Sequence, residues 1–288
     1  MKRLIVTADD FGLAVAVNEA VEHAHRRGIL SAASLMVTAP AAEDAVARAR
    51  RLPRLGVGLH LVLVDGAPCL PPEQVPDLVG PDGRFSQNLI GVGVTIFCRA
   101  AARRQVEAEM RAQLEAFRRT GLHIDHVNAH HHFHLHPVVR QLLLRLAPEY
   151  GIRAVRVPYE PPILAWRATG DRLLPRLFTW LLQAQRTRVL RRRLDAAGIA
   201  SNDWILGLSD SGVMRKERVR GYVTHLPEGV SELYVHAATG PWTGPGAWPA
   251  DYDGRGEFEA LTDPDVRAAL AAQGIEATSF AGLLAAAA

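Results

Sequence analysis

The sequence lacks the features of a secreted, membrane-spanning or disulfide-stapled protein. Its 288 residues include two cysteines, Cys69 and Cys98, and no CxxC pair. That excludes a disulfide framework and a structural zinc knuckle, and predicts two reduced thiols in a cytoplasmic protein. Nowhere do about 18 apolar residues run together, so no spanning helix is expected. Lys2 and Arg3 lead into the apolar run Leu4–Val6 and then into two acids, a run too short for a secretory leader. No GxGxxG follows that run, which argues against a dinucleotide-binding sheet. An excess of one charge is also missing: 33 Lys and Arg face 30 Asp and Glu, a net +3. The arginines sit beside Trp and Leu without a recognisable binding motif, so no nucleic-acid partner is expected.

What is present is an alternation of short apolar runs with helical patterns. Leu4–Val6, Ser34–Val37, Leu55–Leu63, His123–Val127, Ala154–Val157 and Glu232–His236 read as strands or contain one. Val15–Arg27, Ala41–Arg51, Arg104–Arg119, Val138–Leu146 and Pro264–Gln273 read as helices. Val17, Ala20, Val21 and Ala24 would share one face, as would Val106, Met110, Leu114 and Phe117. Such alternation predicts an α/β fold of parallel strands with helices outside, here one distorted (β/α) barrel domain over residues 1–288. Two segments break the pattern. Pro68–Asn88 reads as a long loop, and residues 158–209 read as a helical insertion. In such barrels the chemistry gathers at the C-terminal ends of the strands.

Four polar clusters fall at those ends. Asp9 and Asp10 follow the first apolar run. Paired carboxylates there are costly unless each has a partner or a task, although Asp10 could simply cap a turn. His60 lies inside the apolar stretch Gly58-Leu59-His60-Leu61, where a histidine alone is more often a bonded core residue than a ligand. The third cluster, Asp125 to Pro137, carries the strongest signal: seven of the twelve histidines lie between His123 and His136. So dense a group repels itself when protonated, and neutral imidazoles around a divalent ion remove that conflict. His236 ends a late apolar run. Two histidines plus one carboxylate can hold a metal with open positions, a second carboxylate can take a proton from water, and a further histidine can give one to a leaving amine. That is equipment for amide hydrolysis.

The ordered set "ADDFG" at Ala8–Gly12, "GLHL" at Gly58–Leu61, His130-His131-His132-Phe133-His134 and the late His236 resembles the YdjC-like carbohydrate deacetylases. The resemblance covers nearly the whole chain apart from the middle insertion, and implies a NodB-like polysaccharide-deacetylase barrel. It implies Asp10, His60 and His130 as ligands of one divalent cation, Mg or Zn, with Asp9 as general base and His236 as general acid. His132 and His134 would line the substrate site. Arg156 would line it too, or pair with a surface acid. Val127-Asn128-Ala129-His130 through Phe133-His134-Leu135-His136-Pro137 is similar to the hopanoid-biosynthesis-associated HpnK branch, which implies an N-acetylglucosaminyl hopanoid as substrate. A departure is Ala237, where relatives often carry proline. Family habit suggests a homodimer.

Leu173–Leu194 mixes large apolar residues with Arg176, Arg186, Arg188, Arg191, Arg192 and Arg193. Residues 172–194 read either as a helix packed on protein or as an interfacial helix, basic on one side and apolar on the other, touching the inner membrane. The competing functions are deacetylation of chito-oligosaccharides, another metal-dependent amide or ester hydrolysis, and non-catalytic binding of metal or lipid.

Overall fold

The computed structural model describes residues 1–244 and 246–286. Strand β1 (Lys2–Phe11) is followed by α1 (Val15–Arg27), β2 (Ala32–Leu35), α2 (Ala42–Ala49), β3 (Gly56–Leu61), α3 (Leu89–Cys98), α4 (Ala100–Arg119) and β4 (Val127–Ala129). Then come α5 (Pro137–Tyr150), α6 (Pro162–Thr169), α7 (Leu173–Ala196), β5 (Trp204–Leu206), α8 (Lys216–Thr224) and β6 (Gly229–Val235). Helices α9 (Gly254–Thr262) and α10 (Pro264–Ala272), strand β7 (Glu276–Thr278) and helix α11 (Phe280–Ala286) complete the order.

All strand pairs are parallel, in the order β4-β3-β2-β1-β6-β5, with β7 on β1. These strands form a curved half-barrel surrounded by helices. Single bridges carry the ring onward from β4: Val127 pairs with Val155, and Ala154 with Ala200, just before β5. The interior is layered. Ile5, Ala32, Ala154 and Val230 pack against Phe280 and Leu283 of α11, which cap one end. Leu4, Val6 and Ala8, the alternate residues of β1, join the larger cluster that includes Val17-side helix residues Ala20, Val21 and Ala24. The odd positions nearer the C-terminal end, Thr7 and Asp9, are polar, and the site begins there.

Both expected helix faces are buried as the spacing requires. Three expectations need correction. The strand placed at His123–Val127 lies instead at Val127–Ala129. Ala154–Val157 makes single bridges rather than a named strand: Ala154 pairs with Ala200 and Val155 with Val127. The basic face assigned to 172–194 is not uniform: Arg176 is 1% exposed and paired with Asp210, and the exposed apolar residues Leu174, Phe178, Leu181 and Leu182 occupy the first half of α7. The segment 158–209 holds two helices, α6 and α7, and then rejoins the sheet as β5. No helix among the described residues is long and apolar enough to cross a membrane.

Candidate metal and catalytic site

The end of β1 is irregular, and the irregularity aims the carboxylates. Ala8 pairs with Ala33 but Phe11 with Leu35, so β1 carries one extra residue, a β-bulge. Asp10 occupies it with φ 60°, in the left-handed region that a non-glycine residue enters at a cost. Gly12 follows at φ 100°, where an added Cβ would lie 3.1 Å from the Met36 carbonyl oxygen. The bulge lets two consecutive aspartates reach one site, although neighbours on a regular strand point to opposite faces. Both are buried, at 2% and 0% exposure.

Asp10 meets the two expected histidines. Its Oδ1 lies 3.3 Å from His60 Nε2 and 3.3 Å from His130 Nδ1. One donor atom from each of the three lies within 4.8 Å of the others, so these side chains share one possible coordination sphere. Asp10 Oδ2 accepts a hydrogen bond from Trp248 Nε1 at 2.7 Å, whereas Oδ1 is buried with no hydrogen-bond partner among the described residues. A buried carboxylate oxygen without a donor is costly unless a cation completes it.

The orientation of His60 follows from its neighbours. Asn128 Nδ2 donates to Asp9 Oδ1 at 3.2 Å and to Ser34 Oγ at 2.9 Å. A carboxylate only accepts, so the amide nitrogen must face it and the amide oxygen must face His60. His60 Nδ1 therefore donates to Asn128 Oδ1, at 2.6 Å, and Nε2 turns its lone pair toward Asp10 when the ring is neutral. The support continues outward: Ser34 Oγ lies 3.0 Å from His126 Nε2, and His126 Nδ1 lies 2.9 Å from Asp125 Oδ2. The donor set fits a divalent cation.

Asp9 has a different environment. Arg156 grips it with both Nη atoms, at 2.6 and 2.9 Å. The same guanidinium donates to Glu232 through Nε at 3.0 Å and Nη2 at 2.8 Å, and Thr7 Oγ1 donates to Glu232 at 2.7 Å. Burial works to raise the Asp9 carboxyl, but the Arg156 charge overrides it and holds it well below the usual carboxylate range. Among the described residues, Asp9 Oδ2 accepts from Arg156 alone, so a further lone pair is open.

His236 directly follows β6, with Nε2 3.9 Å from Asp10 Oδ2. Ser211 Oγ lies 3.2 Å from its Nδ1, and Tyr234, Trp248 and Tyr252 surround the ring. Burial lowers its pKa, and the nearby aspartates do not fully restore it.

Two of the expected lining residues are placed otherwise. Arg156 is 0% exposed and lies beneath the carboxylates, so it positions Asp9 rather than reaching sugar hydroxyls. His134 is also fully buried, with Nε2 3.0 Å from the Arg156 carbonyl oxygen. His132 stands closer to the opening, its ring 5.5 Å from Tyr234, with Nδ1 unpartnered. The sequence reading missed Asn128, Glu232, Trp248 and Glu257. Glu257 is buried on α9 and accepts the backbone N–H of Met214 at 2.9 Å and of His236 at 2.5 Å. Asn128 stood within the dense histidine run and could have been noticed; the others carry no local signal.

A profile for the YdjC-like protein family matches residues 3–272. The chain belongs to the YdjC-like family. A human protein named carbohydrate deacetylase is 31% identical over 300 residues, covering 95% of this YdjC-like chain and 88% of its own length. A carbohydrate deacetylase of Brevibacillus brevis is 42% identical over 160 residues, which is 54% of this chain and 60% of that protein. The matched stretch thus spans about three-fifths of that relative's length. A solved Enterococcus faecalis structure, named for cellobiose-phosphate cleavage, superposes with a TM-score of 0.75 at 26% identity and covers 98% of both chains.

Proposed function

We propose that this YdjC-like chain is a metal-dependent carbohydrate N-deacetylase. The observation that carries the reading is Asp10 Oδ1, a buried acceptor with no donor, facing two imidazoles beside an arginine-held second carboxylate. Asp10, His60 and His130 would hold the cation. When bound, the cation supplies Lewis acidity to an acetyl carbonyl and to water. An imidazole-rich donor set favours zinc or a similar transition ion over magnesium.

The chain's own groups supply the rest. Asp9, kept ionised by Arg156, takes a proton from the attacking water on its open Oδ2 lone pair. Its depressed pKa makes it a weak base, so the role requires the acidity that a bound cation would give the water. His236 is neutral at rest, so it must gain a proton before it can donate one to the leaving nitrogen. The amide C–N bond breaks, water provides the new oxygen, and acetate and a free amine result. The deacetylase names of the relatives support this reaction class, and the "ADDFG" to His236 motif order supports the residue roles.

The finer reading places the acetylated amino sugar on a hopanoid lipid. It is supported by the HpnK-like wording of residues 127–137 and by an apolar groove beside His132 lined by Ile90, Val94, Phe97 and Phe133. The test is acetate release from short N-acetyl chito-oligosaccharides and from N-acetylglucosaminyl hopanoid, each with and without chelator. Chelator-insensitive release, or none from either substrate, overturns the proposal. Asp9→Asn should keep the metal content and lower turnover by about 10²–10⁴-fold. A near-normal rate would remove Asp9 from the base role.

A further inference from the structure

Helix α3 was not foreseen from the sequence, and the proposed hydrolysis does not use it. It has no charged residue. Val92 and Ile96 face inward, whereas Ile90, Val94 and Phe97 lie outward at the i, i+4, i+7 spacing of one helix face. On α7 the same spacing recurs outside the groove lining: Leu174, Phe178, Leu181 and Leu182 lie outward at i, i+4, i+7 and i+8. These seven side chains are 57–80% exposed, too many large apolar groups for an ordinary soluble surface. The groove between the helices is lined by Ile90, Val94 and Phe97 on one side and by Gln183 and Arg186 on the other, and it reaches His131 and His132 at the rim of the site.

The charges beside it indicate what covers this face. Helix α7 carries six arginines against one aspartate. Arg176 is buried, and Arg191 donates to the carbonyls of Asn202 and Asp203. Arg186, Arg188, Arg192 and Arg193 are exposed, all in the half of the helix beyond the apolar stripe. An apolar patch bordered by exposed arginines matches the layering of an anionic bilayer, hydrocarbon below and phosphate above.

We propose that α3 and the first half of α7 dock together onto an anionic lipid surface, with the arginines of α7 at the phosphates and the groove leading from that surface to the site. This deepens the lipid-linked reading of the substrate and rests on it only for its purpose. The docking is measured without any substrate.

The test is co-sedimentation of the full chain with vesicles of phosphatidylcholine alone and with one-third phosphatidylglycerol. Wild type should prefer the anionic vesicles and be released by raised salt. Ile90→Glu with Phe97→Glu, and separately Phe178→Glu with Leu181→Glu, should each weaken binding by about tenfold or more. Arg186→Glu with Arg192→Glu should remove the preference for phosphatidylglycerol. The Phe178→Glu with Leu181→Glu variant, outside the groove lining, should deacetylate a water-soluble chito-oligosaccharide at the wild-type rate. Wild type that ignores both vesicles overturns the proposal. So does an α3 variant that binds normally, or a dimer in light scattering that the same substitutions dissolve. Vesicle binding without any deacetylation would leave the docking intact and overturn the enzymatic reading instead.

Discussion

Two clusters of buried charge can be compared in this molecule. At the end of β1, Asp9, Asp10, Arg156 and Glu232 are buried with His60. Between α6, α7 and α8, Arg176, Asp210 and Tyr222 are buried with Asp171 and Arg218 at the edge. The second cluster is closed on itself. Arg176 donates to both carboxylate oxygens of Asp210 and to Asp171, Arg218 donates to the same two aspartates, and Tyr222 Oη donates to Asp210 at 2.6 Å. The first stays open at Asp10 Oδ1, at one Asp9 Oδ2 lone pair and at the His60 and His130 ring nitrogens that face Asp10. A saturated network holds helices in place, whereas one with convergent unused acceptors is built for something that arrives from outside.

That contrast can be broken by exchanging damage between the two clusters. Asp10→Ala should lower turnover by about 10³-fold or more and remove the bound metal, while the stability of the metal-free protein changes by only about 1 kcal/mol, because little but the Trp248 hydrogen bond is lost there. Metal analysis, acetate release and chemical denaturation on one preparation check it. Equal loss of stability and turnover would make Asp10 a structural residue. Arg176→Met should do the reverse. Leaving Asp210 buried without its main partner should cost about 3–5 kcal/mol, with turnover per folded molecule close to wild type. A drop in turnover without a stability loss would place the second cluster in the catalytic machinery.

Glu257 sharpens the comparison from between the two regions, because it holds the backbone of both His236 and Met214. Burial pushes its carboxyl up to about 7 from 4.5, and the backbone donors only partly oppose that. The native state then holds a proton that the unfolded chain releases, so this stability is fully present below pH 4.5 and is lost as pH rises to about 7. The loss can reach about 3 kcal/mol. Glu257→Gln should flatten denaturation midpoints across that range. A pH dependence identical to wild type would mean that Glu257 is ionised throughout.

The frame of the fold was legible where chemistry is local. The 3.6-residue spacing in Val15–Arg27 and the apolar run at Leu4–Val6 placed α1 and β1, and the histidine density drew attention to His130. That the four polar clusters gather at one mouth followed from the rule for strand ends, whereas the choice of Asp10, His60 and His130 among them came from the family resemblance. Helix α3 escaped because Leu89–Cys98 is apolar nearly all round and carries Gly91 and Gly93, so it shows neither a polar face nor strong helix propensity. The role of Arg156 escaped for a different reason. Its partners Asp9 and Glu232 are 147 and 76 residues away, and no periodicity encodes pairs so distant. A strand-end arginine looks the same in sequence whether it faces solvent or a buried acid.

Strand β1 is the first strand in the chain, and its partners are scattered to the far end. β6 covers one edge from Lys2 to Ala8, and the other edge is divided between β7 at Arg3–Ile5 and β2 at Thr7–Phe11. During synthesis, the strand that carries both aspartates therefore emerges more than two hundred residues before β6 arrives to cover it. Until then its apolar run has an open edge, a hazard for mispairing with other nascent chains. Refolding should be slow for the same reason, since loops of that length must close before the bulge at Asp10 gains its neighbours.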